Sequence, residues 1–321
     1  MIEEFVIPIF TGIHLDIRQF DFSFKDISIF DFRSKEFKNY LNGLQAELGD
    51  EVRRFMRGSH KKIHFPFQVE YAIVKNNPHS DYNYQDFHAI IDFLLIICPS
   101  DIHLFFELGF DVDNGRFRLE VATYWDKVGS LRYQNFNDSP IENLPKFNKY
   151  EVEEFAKLYF KAIKHSYINV AVGSYVSYFR ASHLHFRYLS LFMALESTVD
   201  GANELSYRLK RNVAILCGDN KLDCFQIYKF LTTTYSLRSK VTHGEKPDFD
   251  KIEKYTKPLE AIVSRSIIEL IVHNISTCKE FNEITTGLGF GQRNEISKGW
   301  SLYTLNEETL VNEYFWITHG L

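Results

Sequence analysis

Cysteine is scarce in this chain of 321 residues: there are four, Cys98, Cys217, Cys224 and Cys278, and no two stand at CxxC spacing. Neither a zinc site nor a disulfide framework is therefore expected, and reduced thiols in a cytoplasm are the natural reading. The opening MIEEFVIPIF has no basic stretch followed by an apolar core, so no secretory signal is read there. Long apolar runs are missing too. The longest, Phe87 to Cys98, is interrupted by His88 and Asp92 and falls well short of the roughly 20 residues that a membrane span requires. It is expected to be a core element, with no membrane as partner. Surplus positive charge is also absent, since the formal net charge is −5. That excludes a surface that traps nucleic acid everywhere; RNA contact, if any, has to come from a local patch.

What the chain has in quantity is apolar and aromatic side chains, 45% hydrophobic and 16% Phe, Trp and Tyr. At this length that is enough to bury two modest cores, and it argues against long disordered regions. The two halves differ in period. Up to about Tyr150 short β-branched and aromatic runs alternate, as in FVIPIF and FDFSFKDISIFDF, and read as strands. A helix is expected from Ser34 to about Arg57, with Ser34 as cap and Phe37, Leu41, Leu44, Leu48 and Val52 on one stripe. Further strands are expected at Ile63 to Val74 and His103 to Phe110, and Asn114-Gly115 between apolar runs marks a hairpin.

From Glu151 the period becomes helical, with Phe155, Leu158, Tyr159, Ala162 and Ile163 on one face. The turn-rich NFNDSPIENLPKFN places the boundary near residue 150. The expectation is an α+β chain, with an α+β accessory or sensor domain over residues 1–150 and an all-α bundle over 151–321. Four helices can be phased in the second part. The first carries Leu184, Tyr188, Leu191, Leu195 and Val199 and stops at Asp200-Gly201. The second is capped by Asn203 and ends at Gly218; the third begins at Asp223, with Gln226 in a variant capping box, and ends at His243-Gly244. The fourth runs from about Asp250 to Asn274, kinked or restarted at Pro258.

The third helix closes with TYSLRSKVTHG, in which four residues separate Arg238 from His243. Together with FMALESTVDG and ELSYRLKRNVAILCG on the two preceding helices, this segment resembles the HEPN superfamily of ribonucleases, in its Apea-like subgroup. The resemblance covers about 100 residues, roughly Val176 to Ile275. It implies metal-independent RNA cleavage, with RNA as substrate, no cofactor, and a toxin or antiviral-defence role. It further implies a homodimer whose two motifs line one cleft, and an antitoxin or a phage-derived activator as regulatory partner. Arg238 and His243 are then the catalytic pair, with Glu196 and Ser239 in support. Ser239 departs from the Asn, Asp or His often found after the arginine.

The chemistry suits those residues. Histidine titrates near neutrality, so His243 can take the proton of a ribose 2′-hydroxyl or deliver one to the leaving 5′-oxygen. Arginine stays charged and presents a planar fork of donors, so Arg238 can hold the scissile phosphate as charge builds on it. The products would be a 2′,3′-cyclic phosphate and a 5′-hydroxyl. Five residues at about 100° each place Arg238 and His243 some 140° apart on an ideal helix, so they converge only if the helix end unwinds at Gly244 or if two protomers meet.

Charge is locally reversed here. From Asn203 to His243 there are seven Lys or Arg against three acids, and Arg208, Lys210, Arg211 and Lys240 are candidates to guide a phosphate backbone; the plainer reading is a solvated helix face. Glu196 either orients the pair or bridges to Arg208 or Arg211. His183 and His185 are two residues apart, which on a helix puts the rings on different sides, so no metal site is expected. GLGFGQRN, near Gly287 to Asn294, lacks the Gly-Lys-Ser/Thr ending of a phosphate loop and reads as a plain loop. A non-catalytic module that binds RNA or a protein partner is the alternative function.

Overall fold

The computed structural model describes residues 4–13, 17–57, 68–76, 84–97, 101–122, 149–199, 204–244 and 248–296. The chain divides into two compact units, residues 1–153 and 154–321. The architecture is mixed α+β, with six strands and ten α-helices among the described residues.

The first unit is built on a six-stranded sheet in the order β2-β4-β1-β5-β6-β3. Its strands are β1 (Glu4–Ile13), β2 (Ile27–Asp31), β3 (Glu47–Leu48), β4 (Gln68–Lys75), β5 (Asp101–Asp111) and β6 (Arg116–Ala122). All pairings are antiparallel except that of β3 with β6. β1 is central, flanked by β4 and β5, although it contains Pro8. A proline removes one ladder donor, and here it stands beside a register shift between Ile9 and Phe10, where the ladder is already irregular. Phe5, Ile7 and Ile9 of β1 join Phe106, Leu108 and Phe110 of β5 in one buried cluster with Phe37 and Leu41 of helix α1 (Lys35–Gly43) and Val52 of helix α2 (Asp50–Met56). Helix α3 (Tyr84–Ile97) is the apolar run singled out in the sequence, and its Phe93 packs edge-on against Phe22.

Three details depart from the sequence reading. The single helix expected from Ser34 to Arg57 is two helices. Ser34 caps α1 by accepting from the Phe37 N–H at 3.0 Å, but Gln45 turns left-handed (φ 53°) and Glu47–Leu48 leave to pair with β6. An edge strand with unpaired backbone groups outweighed the local helical period. The alternation over FDFSFKDISIFDF gives a strand only at Ile27–Asp31, because Asp21 captures the Ser23 N–H at 2.9 Å and a 3-10 turn forms over Ser23–Lys25. The β5–β6 hairpin forms at Asn114-Gly115, with Gly115 at φ 61°, as a loop of four residues, 112–115. Part of the expected 63–74 strand, the whole turn-rich boundary (135–148), the helix stop Asp200-Gly201 and the cap Asn203 lie outside the described residues.

The second unit is helical. Helix α4 (Lys149–Ala162), inside which the division falls, is followed by α5 (Ser166–Arg180), α6 (Leu184–Glu196), α7 (Leu205–Cys217), α8 (Lys221–Thr242), α9 (Phe249–Val272) and α10 (Cys278–Thr286). α5 and α10 were not phased from the sequence. α5 is rich in Val, Ile and Tyr and carries Gly173, residues of modest helix propensity that become helical here through packing. α9 is buried on all sides from Leu259 to Ile271, as befits the central helix of a bundle. Pro258 neither splits it nor marks a later start.

A buried ionic cluster ties this unit together. Glu269 of α9 meets Arg265 and His273 on its own helix, and Arg293, from the segment after α10, reaches in toward it. Arg293 also pairs with Asp219 and donates to the Cys217 carbonyl at 3.3 Å. Glu269, Arg265 and Arg293 are thereby matched where water is excluded, while Asp219 stands at the surface. The Gly287–Asn294 segment belongs to the same packing. Gly291 donates its N–H to Cys224 Sγ at 3.3 Å, and with φ 88° a side chain there would press on the Lys221 backbone at 2.9 Å.

Candidate functional site

α6 and α8 run side by side and define the neighbourhood of the motif. Their register is fixed by Tyr188, whose buried hydroxyl donates to the Thr234 carbonyl at 2.7 Å, and by Phe192, whose ring meets Tyr235 edge-on at 5.7 Å. One turn further along both helices, Arg238 Nη2 donates to Glu196 Oε2 at 2.7 Å. Glu196 is the last residue of α6, so its carboxylate meets a cation rather than its own helix's C-terminal carbonyls alone, where a negative charge is unfavourable. The pair is three-quarters or more buried, the side chains being 24% and 16% exposed. Of the two alternatives for Glu196, the contact is with Arg238 and not with Arg208 or Arg211.

Tyr235 completes the cluster and was not singled out from the sequence. The Arg238 guanidinium lies 5.5 Å from its ring centroid, within the range of a cation-π contact. Burial pushes the Tyr235 hydroxyl above its ordinary pKa and the Glu196 carboxylate adds to the shift, while Arg238 opposes it. The signal available in the sequence was an aromatic residue three positions before the arginine on the same helix. Glu196 uses one edge of a guanidinium that carries five donors in a fixed fork, so donors remain on Arg238 for a phosphate.

α8 is capped by Asn220, whose side chain accepts from the Leu222 and Asp223 N–H groups at 2.9 and 3.1 Å. The start is therefore three residues earlier than the expected Asp223, because Asn220 offers both an extended backbone and a side-chain acceptor. At the other end His243 is the C-terminal cap, exposed, and Gly244 follows at φ 76°. The His243 N–H still donates to the Ser239 carbonyl at 3.0 Å, so the α-helical ladder runs without interruption from Arg238 to His243. Of the two ways in which the pair could converge, unwinding of the helix end is thereby removed. Around this regular helix Arg238 faces α6 while His243 stands about 140° away. The described chain holds Glu196, Arg238 and Tyr235 together and does not bring His243 to them.

Ser239 is half-buried and serves His243 through its carbonyl; Lys240 is exposed. Lys210 Nζ lies 5.8 Å from the Tyr228 ring centroid. Arg208 is half-buried on α7. Arg211 is turned inward, donating to the carbonyls of Thr285 at 2.8 Å and Leu288 at 2.5 Å, which fastens the end of α10 to α7. His183 and His185 are not on different sides: their rings stack 5.6 Å apart at 17°. His183 precedes α6 with an extended backbone, so helical spacing does not govern where its ring points. Among the described residues no group of three or more His, Cys, Asp or Glu could hold a metal ion, and no helix is long and apolar enough to cross a membrane. Cys217, Cys224 and Cys278 are free thiols; burial pushes Cys217 up to about 12, which makes it a poor nucleophile.

No family model, curated protein or solved structure matches the chain. The functional reading accordingly rests on residues and geometry.

Proposed function

We propose that the chain is a metal-independent endoribonuclease of the toxin or antiviral-defence type, resembling HEPN nucleases in its helical unit. The observation that carries this reading is the 2.7 Å pairing of Arg238 with Glu196 beside the helix end on which exposed His243 stands. A guanidinium fixed by a carboxylate on one edge is oriented before substrate arrives, which is what stabilising a pentacoordinate phosphate requires. His243 supplies the proton transfers: the ribose 2′-oxygen attacks the adjacent phosphorus, its proton passes to a histidine, and the 5′-oxygen leaves with a proton. The ends formed are a 2′,3′-cyclic phosphate and a 5′-hydroxyl.

Since the helix stays regular through His243, the reading includes a homodimer in which Arg238 of one protomer serves a phosphate together with His243 of its partner. The first unit or a separate antitoxin is the natural restraint on such an activity, and a phage-derived activator the signal that lifts it. The test compares the full-length wild type with His243→Ala on end-labelled tRNA and mRNA in EDTA, with product ends mapped. Cleavage by wild type alone, leaving cyclic phosphate ends, supports the reading. Binding of RNA by wild type with no cleavage, including in the presence of candidate activators, replaces it with the non-catalytic RNA- or partner-binding module.

A further inference from the structure

α8 has a second face, opposite its buried one. Lys221, Phe225, Lys229, Ser236, Lys240 and His243 are all exposed, and at 100° per residue they fall within a strip about 100° wide that runs the length of the helix, about 33 Å. The buried residues of α8, among them Ile227, Leu231 and Thr234, lie on the other side. No acid of α7 or α8 shares the strip, although Asp248, which caps α9, lies close enough to Lys240 to feel its charge. α7 contains none, and the one carboxylate of α8, Asp223, faces away and is held by the Asn220 amide at 2.7 Å. In a chain of net charge −5, this is a concentration of positive charge on one helix face.

Phe225 is 57% exposed and stands between two lysines, one turn to either side. A single exposed Phe is unremarkable by itself, but its surroundings here extend the pattern. Tyr228, one turn on, is flanked by Lys210 at 5.8 Å from its ring and by the Phe290 ring at 5.9 Å. Rings interleaved with cations at helical spacing suit a chain whose bases stack and whose phosphates pair; Leu222, 64% exposed, stands at the edge of the strip, and the lysines a turn to either side of Phe225 disfavour burial of this end against a wholly apolar partner.

We propose that this strip of α8 is a binding track for single-stranded nucleic acid. Phe225 stacks on a base, Lys221 and Lys229 meet the flanking phosphates, and Lys240 leads the strand toward His243. The direction of the strand rests on the nuclease reading; the track itself does not, because stacking and phosphate pairing do not require the 2′-hydroxyl.

The experiment uses the full chain and a fluorescein-labelled 20-nucleotide single-stranded DNA of mixed sequence, read by anisotropy across a salt series. Wild type is expected to bind, and Phe225→Ala to weaken binding between about fivefold and a hundredfold, the range for loss of one base-stacking ring. Phe225→Trp should bind as wild type does. The double variant Lys221→Gln/Lys229→Gln should flatten the slope of log K against log salt by about 1.4, at about 0.7 per phosphate contact on a single strand. All these positions are exposed, and circular dichroism confirms that each variant is folded. Wild type that does not bind, or Phe225→Ala and the double variant binding like wild type, overturns the track. Binding as described without RNA cleavage leaves the track standing and removes the nuclease; cleavage indifferent to Phe225→Ala in both rate and affinity does the reverse.

Discussion

At the scale of single residues, the Glu196–Arg238 contact separates two roles that one carboxylate can have. If Glu196 only stabilises the fold, removing its charge costs an ion pair and nothing else. If it orients the guanidinium, cleavage suffers more than stability. Glu196→Gln keeps the shape and one acceptor, and since the pair is partly exposed its loss should cost about 1–2 kcal/mol, between the exposed and buried limits. RNA cleavage should fall about tenfold or more at a pH and temperature where the variant is folded. Equal activity in a folded variant, measured by single-turnover cleavage with chemical denaturation alongside, would assign Glu196 to stability alone.

Glu269 is the clearest titrating group. Burial by itself would raise its pKa, but Arg265, His273 and Arg293 outweigh burial and hold it below the ordinary carboxylate range. A depressed folded-state pKa gives stability that is present above the unfolded value, near 4.3, and lost as pH falls through the folded value. Glu269→Gln removes the carboxylate that Arg265 and His273 share on α9, while Arg293 keeps its pairing with Asp219; breaking a buried pair on one side costs up to about 3–5 kcal/mol at neutral pH. Urea denaturation at pH 7 and at pH 3–4 should show a strong acid loss in wild type and a weaker one in the variant.

At the scale of elements, α8 is where stability and site meet. It is capped by Asn220 at one end and finished by Gly244 at the other; the second end was read from the sequence, while the first was placed three residues too late, at Asp223. Asn220→Ala should cost about 1 kcal/mol of stability, visible as a lower urea midpoint with unchanged slope, and should leave the Glu196–Arg238 end of the helix undisturbed more than 25 Å away. In α9 the sequence left open whether Pro258 kinks or begins the helix, and an unbroken helix from Phe249 to Val272 is found. Pro258→Ala would supply the missing N–H and remove the ring's clash with the preceding turn, raising stability by up to about 3 kcal/mol as read from thermal or urea unfolding.

At the scale of the whole molecule, the proposed dimeric site can be tested by complementation, because the regular end of α8 holds Arg238 and His243 apart within one chain. Arg238→Ala and His243→Ala should each abolish cleavage as homodimers. Mixed one to one and allowed to exchange, about half of the dimers carry one chain of each kind, and each such dimer keeps one intact pair, giving roughly a quarter of wild-type activity under two-fold symmetry. A site complete within one chain gives no such recovery. Activity that stays at zero in a mixture shown to exchange subunits would exclude the shared site.

Periodicity and punctuation in the sequence determined the α+β class, the Ser34 cap, the Asn114-Gly115 hairpin and the α6 to α9 helices, because these depend on interactions within a few residues. Arg238, His243 and Glu196 were singled out as candidates by the resemblance of a linear motif and its neighbouring segments, which is legible without the fold. The break between α1 and α2, the helical state of α5 and the contact of Glu196 with Arg238 were decided only by tertiary structure. In each a distant partner, the edge of β6, the packing of neighbouring helices or the end of α6, competes with or adds to what neighbours along the chain prefer. The 140° between Arg238 and His243 follows from spacing alone; that the helix remains regular between them, and so keeps them apart within one chain, was fixed by the hydrogen bond from His243 to Ser239.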